Sequence, residues 1–428
     1  MAMRPATLVL PTLLCVAGCG ERKDPNLVRA EAVLTAVPLI DGHNDLPWRI
    51  REDTVARSDV DKYDLRTRAP GMTDIPRLRA GHVGAQFWSV YIPGESASVG
   101  YAKMQAEQIK IAKAIVAKYP DTFAWTLTAA SIRQAFKDGR IGSLMGVEGG
   151  HAIENSLDSL RSYYAQGARY MTLTHNVTLD WADAALDSAK HGGLTKFGEE
   201  VVREMNRLGM LVDLSHVSPG TMSDALNVTE APVIFSHSSA FALTNHKRNV
   251  PDSILQRLPK NGGVVMVSFV TAFSSQKMKD WTDQQTAAAD SIKKASGSDA
   301  AAAAKADAEW IKAHPAPKVF VTDVADHVDH VKAVAGVDHV GIGSDFDGIT
   351  DNVVGLSDVS MFPALFAELA RRGWTDADLK KLAGENLLRV LDQAEQVAAR
   401  LQKERKPSTA TIQQLDGAKT PPTHKTIK

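Results

Sequence analysis

Along this chain, several apolar runs end in residue types that bind divalent metal or move protons. His43 and Asp45 follow Leu39 and Ile40, and Glu148 follows Leu144 to Val147. His216 and His237 close the runs beginning at Leu211 and Val233, and Asp345 and Asp347 follow Val340 and Ile342. Residues two apart share one side of an extended strand, so His43 and Asp45 offer an imidazole and a carboxylate together, a natural pair for Zn2+. Glu148 lies between an apolar run and Gly149-Gly150. A carboxylate there is costly to bury unless it is paired, hydrogen-bonded or on a metal. Taken singly, His216 and His237 read equally well as core histidines. Chance is a poor account of the whole set. His43, Asp45, Glu148, His216 and His237, with Glu148 able to bridge through two oxygens, suit two metal ions, and two-metal sites activate water and polarise carbonyls.

Further groups extend that chemistry. Asp345 has the placement to take a proton from an attacking water and deliver it to a leaving amine; Asp347 has the same parity and is not separated from it by sequence. His175 ends another apolar run and has the placement to donate to a developing oxyanion. Arg248, a short way past His237, is placed to hold a substrate carboxylate in a two-pronged contact. His327 and His330 have helical i, i+3 spacing and are expected on a solvated helix face. His151, just past the glycine pair, is expected beside the site, behind the ligands.

Such residues need strand ends that converge. Strand-like runs fall at 39–45, 82–91, 141–149, 168–175, 210–216, 232–237, 262–269 and 339–345. Several are continuously apolar, as in parallel strands buried on both faces, and helical spacing at 102–119 and 196–208 separates them. The expected fold is α/β, a TIM-like (β/α)8 barrel, whose active site lies at the C-terminal strand ends. The stretch 274–317, rich in Ala, Lys, Asp and Gln, breaks the rhythm and predicts a helical, solvent-facing insertion before the last strand. Thr375 and Asp378 form a capping pair that opens a helix running through 386–391 toward Leu401.

The 428 residues carry 44% hydrophobic and 23% charged residues with a net charge of -1. That is enough for a sizeable core and gives no electrostatic argument for nucleic acid or anionic membrane as a partner. The two cysteines are Cys15 and Cys19. Arg4, the apolar stretch 6–16 and the small residues before Cys19 have the layout of a secretory signal. Val16-Ala17-Gly18-Cys19 resembles a bacterial lipobox, which implies acylation of Cys19 and, with Gly20 next, sorting to the outer membrane facing the periplasm. The expected organisation is a signal peptide over 1–18, a tether and first helix over 19–38, one barrel domain over 39–402, and a disordered tail over 403–428.

Asp41 to Trp48, Gly146 to His151, Thr172 to His175, Asp213 to Ser218, Val233 to Ala240, Arg248 to Asp252, Gly343 to Gly348 and Gly384 to Val390 together resemble the motifs of the membrane (renal) dipeptidases, zinc peptidases of the amidohydrolase superfamily, in the family's order. The resemblance implies two zinc ions, one held by His43, Asp45 and bridging Glu148, the other by Glu148, His216 and His237. It implies His175 and Arg248 in substrate binding and Asp345 in proton transfer. Dipeptides are the implied substrates, including L,D-dipeptides of the kind peptidoglycan releases, with carbapenem-type β-lactams as a lesser possibility. The mature chain cannot make the disulfides of the mammalian enzymes, and the 274–317 insertion has no clear counterpart. The expected partners are small dipeptides, a membrane reached through the lipid anchor, and a second copy in a homodimer. Two rival readings use the same residues: another amidohydrolase activity (N-acyl amino acid, cyclic amide or β-lactam hydrolysis), or a non-catalytic metal- or peptide-binding lipoprotein. A binding protein has no need of Asp345 beside two metals.

Overall fold

The computed structural model describes residues 24–417 apart from 97 and 99. Cys15 and Cys19 therefore lie outside the described residues. Among the described residues nine strands carry the fold: β1 Leu39–Asn44, β2 Val83–Ser89, β3 Phe123–Trp125, β4 Ile141–Glu148, β5 Ala168–Thr172, β6 Leu211–Asp213, β7 Ile234–Phe235, β8 Val264–Val267 and β9 Val340–Ile342. Every pairing between them is parallel. β1 joins β2 to β9, and β2 joins β4, so eight strands close into a barrel with helices between them. The fold is the expected TIM-like (β/α)8 barrel. β3 is additional to the expected strands. It pairs with the start of β4, from Ile141 to Ser143, before β5 takes up that edge at Met145. Its three residues are too short a run to stand out in sequence.

Alternation along the strands sorts side chains between two cores. Ile40, Ala85, Phe87, Leu144, Tyr170, Leu211, Ile234, Val264 and Met266 fill the barrel interior. Residues of opposite parity, such as Trp88, Met145, Val147, Met171, Val212 and Val265, pack outward against the helices. Both faces are dry, which is why the strands read as continuous apolar runs. The interior cluster also includes Leu387, Leu388 and Leu391 of the helix Asn386–Glu404. This helix crosses the N-terminal strand ends: Asn386 Nδ2 donates to the carbonyls of Val337 and Val340, and Arg389 to those of Gly262 and Asp338. The barrel is thereby closed at one end and opens at the other.

Thr375 caps its helix through the Asp378 N–H, and the Asp378 carboxylate, which also faces Thr375, pairs with Lys332 Nζ at 2.9 Å. The helix widens into a π turn at Lys381–Glu385 and continues as Asn386–Glu404. The insertion forms two helices, Gln276–Ser296 and Ala300–Ala313, with Met278 their one buried residue. Trp281 Nε1 donates to the His314 carbonyl at 2.7 Å and its ring lies 6.0 Å from that of Trp310, closing the hairpin at its base.

Two expectations are corrected. His327 is 1% exposed, and its Nδ1 accepts from the Ala240 N–H at 3.0 Å. It shares the buried stripe of the helix Val321–Ala335 with Val324, Val328 and Val331, so the i, i+3 spacing marks a packed face. His330 is half-buried and paired with Asp252. The tail beyond 403 is ordered as far as Gly417: the Ser408 carbonyl accepts from Arg161, Asp416 accepts from Thr195 Oγ1 at 2.6 Å, and Ile412 is buried in the short helix Ile412–Asp416. Polar bonds and one apolar anchor hold this segment, so no periodicity announces it.

Candidate metal centre

The open end of the barrel gathers the residues singled out from sequence. Asp45, Glu148, His175, His216, His237, Arg248 and Asp345 line one cavity of about 470 Å³ together with Trp48, Tyr91, Asn176, Phe273 and Asp347. His43 lies beneath it, fully buried. β1 brings His43 and Asp45 to the mouth, and Asp45 stands at the N-cap of the helix Leu46–Arg51 without capping it. β4 delivers Glu148 as its last residue.

Glu148 faces two sets of candidate ligands. Its Oε2 lies 3.5 Å from His43 Nε2, and Oε1 lies 3.1 Å from His216 Nε2 and 3.5 Å from His237 Nε2. His43 Nε2 is also 3.2 Å from Asp45 Oδ2 and 4.0 Å from Asp345 Oδ1. Within these residues, three overlapping groups bring ligand atoms together: His43, Glu148 and His237; Glu148, His175 and His216; and His43, Asp45 and Asp345. His175 and Asp345, expected in other roles, thus stand within the same cluster.

The hydrogen bonds behind the ligands show that the cluster fits a cation. Ser236 Oγ donates to Asp213 Oδ2 at 2.6 Å, so it accepts from His237 Nδ1 at 2.8 Å. Asn176 Oδ1 accepts from His216 Nδ1 at 3.0 Å. Both rings then present bare Nε2 lone pairs, 2.9 Å apart, beside a carboxylate oxygen. Without a positive charge between them that arrangement repels itself. His43 Nε2 and Asp45 Oδ1 are buried and form no hydrogen bond among the described residues. The residues present fit metal, with neighbours that fix ring orientation as metal-binding histidines require.

Burial and charge tune each group. Burial drives the His237 and His216 pKa values well below the imidazole value, keeping the rings neutral as metal ligands must be. Burial also opposes ionisation of Glu148, but the neighbouring His43 outweighs it and holds that carboxyl well below the usual range. Asp345 goes the other way, raised well above it by burial and by the charges of Asp45 and Glu148. Burial pulls His175 down. His216, Asp345 and Asp347 hold φ of 66°, 68° and 66°, a left-handed conformation costly for residues other than glycine and typical of functional sites.

Arg248 is 2% exposed. Its guanidinium donates to Ser238 Oγ at 3.3 Å and to the His237 carbonyl at 3.4 Å, and lies 5.2 Å from the Phe273 ring. Among the described residues no carboxylate pairs with it, and burial lowers its pKa to about 10. Asp347 separates from Asp345 here: its Oδ1 accepts from the Met72 N–H at 2.7 Å, turning it toward the loop around residue 72. His151 is buried behind the site, its Nε2 bonded to the Ile92 carbonyl.

Several supporting residues carry no mark in the sequence pattern. Tyr170 Oη meets His43 Nδ1 at 2.8 Å, and Ser89 Oγ donates to Glu148 Oε2 at 3.1 Å. Tyr170 fits because a Cβ on Gly146 would collide with its ring. Asp213 accepts from Thr172 Oγ1, the Ser215 and Ser236 N–H groups and Ser236 Oγ; Asp41 accepts from the Ser344 N–H, Ser344 Oγ and Gln86 Nε2. These two carboxylates tie neighbouring strand ends together beneath the ligands. Ser236 and Asn176 adjoin His237 and His175 in sequence, and Tyr170 has the same strand parity as Thr172.

The comparisons with known proteins agree with this geometry. The family model for membrane dipeptidases, peptidase family M19, matches residues 27–405. The probable dipeptidase PvdM from Pseudomonas aeruginosa shares the fold, with a TM-score of 0.76 and 23% identity over 88% of this chain and 100% of its own. The dipeptidase AC, a metallo peptidase of family M19, matches with a TM-score of 0.68 and 25% identity over 84% of this chain and 98% of its own. A metallo peptidase from Rhodobacter sphaeroides, liganded with a phosphinate mimic of the dipeptide L-Ala-D-Ala, matches with a TM-score of 0.67 and 25% identity over 84% and 99%.

Proposed function

The chain belongs to the membrane dipeptidase family, peptidase family M19, and is a metal-dependent dipeptidase; from that premise we propose that it works with two zinc ions bridged by Glu148 and that its substrates include L,D-dipeptides. The observation that carries the dinuclear reading is the division of the Glu148 carboxylate, with Oε2 toward His43 and Oε1 toward His216 and His237. His43, Asp45 and Glu148 would hold one ion, and Glu148, His216 and His237 the other. Metal so held supplies Lewis acidity and lowers the pKa of water.

The chain's own groups do the rest. Arg248, buried and without a carboxylate partner among the described residues, receives the free C-terminal carboxylate of the dipeptide. His175, half-turned toward Glu148 with its Nε2 at 3.8 Å, donates to the oxygen of the attacked carbonyl. Asp345 takes the proton of the attacking water as the C–O bond forms and returns it to the amine nitrogen as the C–N bond breaks. Support for L,D-dipeptides comes from the Rhodobacter sphaeroides relative and its L-Ala-D-Ala mimic.

Elemental analysis alongside a dipeptide panel tests this reading. Chelation abolishes hydrolysis and Zn2+ restores it at two ions per chain; full activity at one ion per chain would sink the dinuclear site. Turnover of L,L-pairs without L,D-pairs removes the stereochemical part. Hydrolysis of N-acyl amino acids or β-lactams in preference to dipeptides favours the rival amidohydrolase reading.

We propose in addition that Cys19 is acylated and tethers the enzyme to a bacterial envelope, in the outer membrane facing the periplasm. The lipobox-like Val16 to Cys19 supports this. Among the described residues no helix is long and apolar enough to cross a membrane.

A further inference from the structure

The insertion before β9 has no assigned role, yet its root grips the loop that carries Arg248. That loop runs from Ala240 to Val250 and is joined to itself by the bridge between those two residues. At its tip, the Asn245 N–H donates to Gln276 Oε1 at 2.9 Å, and Gln276 Nε2 donates back to Asn245 Oδ1 at 3.0 Å. Gln276 is the first residue of the insertion's first helix. Nearer Arg248, Asn249 Nδ2 donates to the carbonyls of Thr244 and Phe273, both at 2.9 Å. The Phe273 ring lies 4.5 Å from the His246 ring and 5.2 Å from the Arg248 guanidinium. His246 Nδ1 in turn accepts from the Arg248 N–H at 3.2 Å.

These contacts matter because the guanidinium is poorly held by the barrel itself. Its own hydrogen bonds are long, at 3.3 and 3.4 Å, beyond the usual N–H···O range. The position of Arg248 therefore depends on its loop, and the loop on residues 273–276. We propose that the root of the insertion is a positioning clamp for Arg248, with Gln276 as the residue that fixes the loop tip and Phe273 as the face against which the guanidinium is set. The insertion thereby contributes to recognition of the substrate carboxylate without touching it. This inference rests on the assignment of Arg248 to that carboxylate.

The test compares a dipeptide with its C-terminal amide on the zinc-loaded full chain. Gln276→Ala should raise KM for the free-acid dipeptide about tenfold, the scale of one to two lost net hydrogen bonds, while kcat stays within about twofold and kcat/KM for the amide does not fall. Asn245→Ala should shift the same parameter in the same direction, and Asn245→Ala/Gln276→Ala should be no worse than Gln276→Ala alone, as for two residues sharing one contact. If Gln276→Ala does not fold, Asn245→Ala carries the same test. Arg248→Lys serves as the control. If it leaves KM for the free acid unchanged, the carboxylate assignment itself fails. If it raises KM and the Gln276 and Asn245 variants do not, or if they weaken acid and amide alike, the clamp is refuted.

Discussion

Replacing Arg248 with methionine should make the protein more stable and a worse enzyme. The guanidinium is 2% exposed, and burial lowers its pKa from the ordinary arginine value to about 10 even with Asp345, Glu148 and Asp213 attracting it. At about 1.4 kcal/mol per pH unit, holding that charge costs the folded state about 3 kcal/mol. Against this stand the Phe273 face and two hydrogen bonds that, at 3.3 and 3.4 Å, return little of the full charge-assisted value, together worth about 1–2 kcal/mol. A flexible apolar side chain of similar length removes both sides of the balance and fills the space. The net expected gain is about 1–2 kcal/mol, a rise in Tm of about 1–3 °C for a chain of this size. The loss appears only with substrate. Hydrogen bonds to a charged group contribute about 1.5–3 kcal/mol each, so losing a two-pronged grip on the carboxylate should raise KM about 100-fold or more, with a smaller effect on kcat. Thermal unfolding and steady-state kinetics on the zinc-loaded variant decide it. A fall in Tm with unchanged KM would make Arg248 a structural residue and refute the reasoning.

If His43, Asp45, Glu148, His216 and His237 hold the two metals as proposed, Asp345→Asn should keep them and should lower kcat by at least about 100-fold. The base must be ionised to act, and its pKa is raised by burial and by Asp45 and Glu148. Wild-type activity therefore falls as pH drops through that raised value, and the variant should lose this acidic limb of kcat/KM; near-normal kcat with metals bound would disprove the assignment. Ser236→Ala removes the acceptor that fixes His237 Nδ1 and should weaken metal binding by about 10- to 100-fold in chelator competition, and an unchanged affinity would show that the ring is oriented without it. Cys19→Ala should release the protein from membranes in detergent partitioning, and unchanged partitioning rules out the lipid anchor.

Strand order and the residues that gather at the barrel mouth were legible in the chain itself. Parallel strands buried on both faces must be continuously apolar, so a histidine or carboxylate closing such a run is conspicuous, and it recurs at Glu148, His216 and His237. The two-residue spacing of His43 and Asp45, and the cap at Thr375, are local physics written in neighbouring residues. What tertiary structure alone decided depends on contacts between residues far apart in sequence. The i, i+3 spacing of His327 and His330 is the same for a wet face and a packed one, and only the Ala240 N–H waiting opposite makes His327 buried. Asp345 and Asp347 are equivalent by parity until Met72, from another loop, binds one of them. The tail beyond 403 has no periodicity to read because Asp416 is held by Thr195 and Phe197 across the fold. Tyr170 reaches His43 only because Gly146 on the neighbouring strand leaves room for its ring. A sequence records what each residue prefers, and these outcomes were set by what its distant neighbours left for it to do.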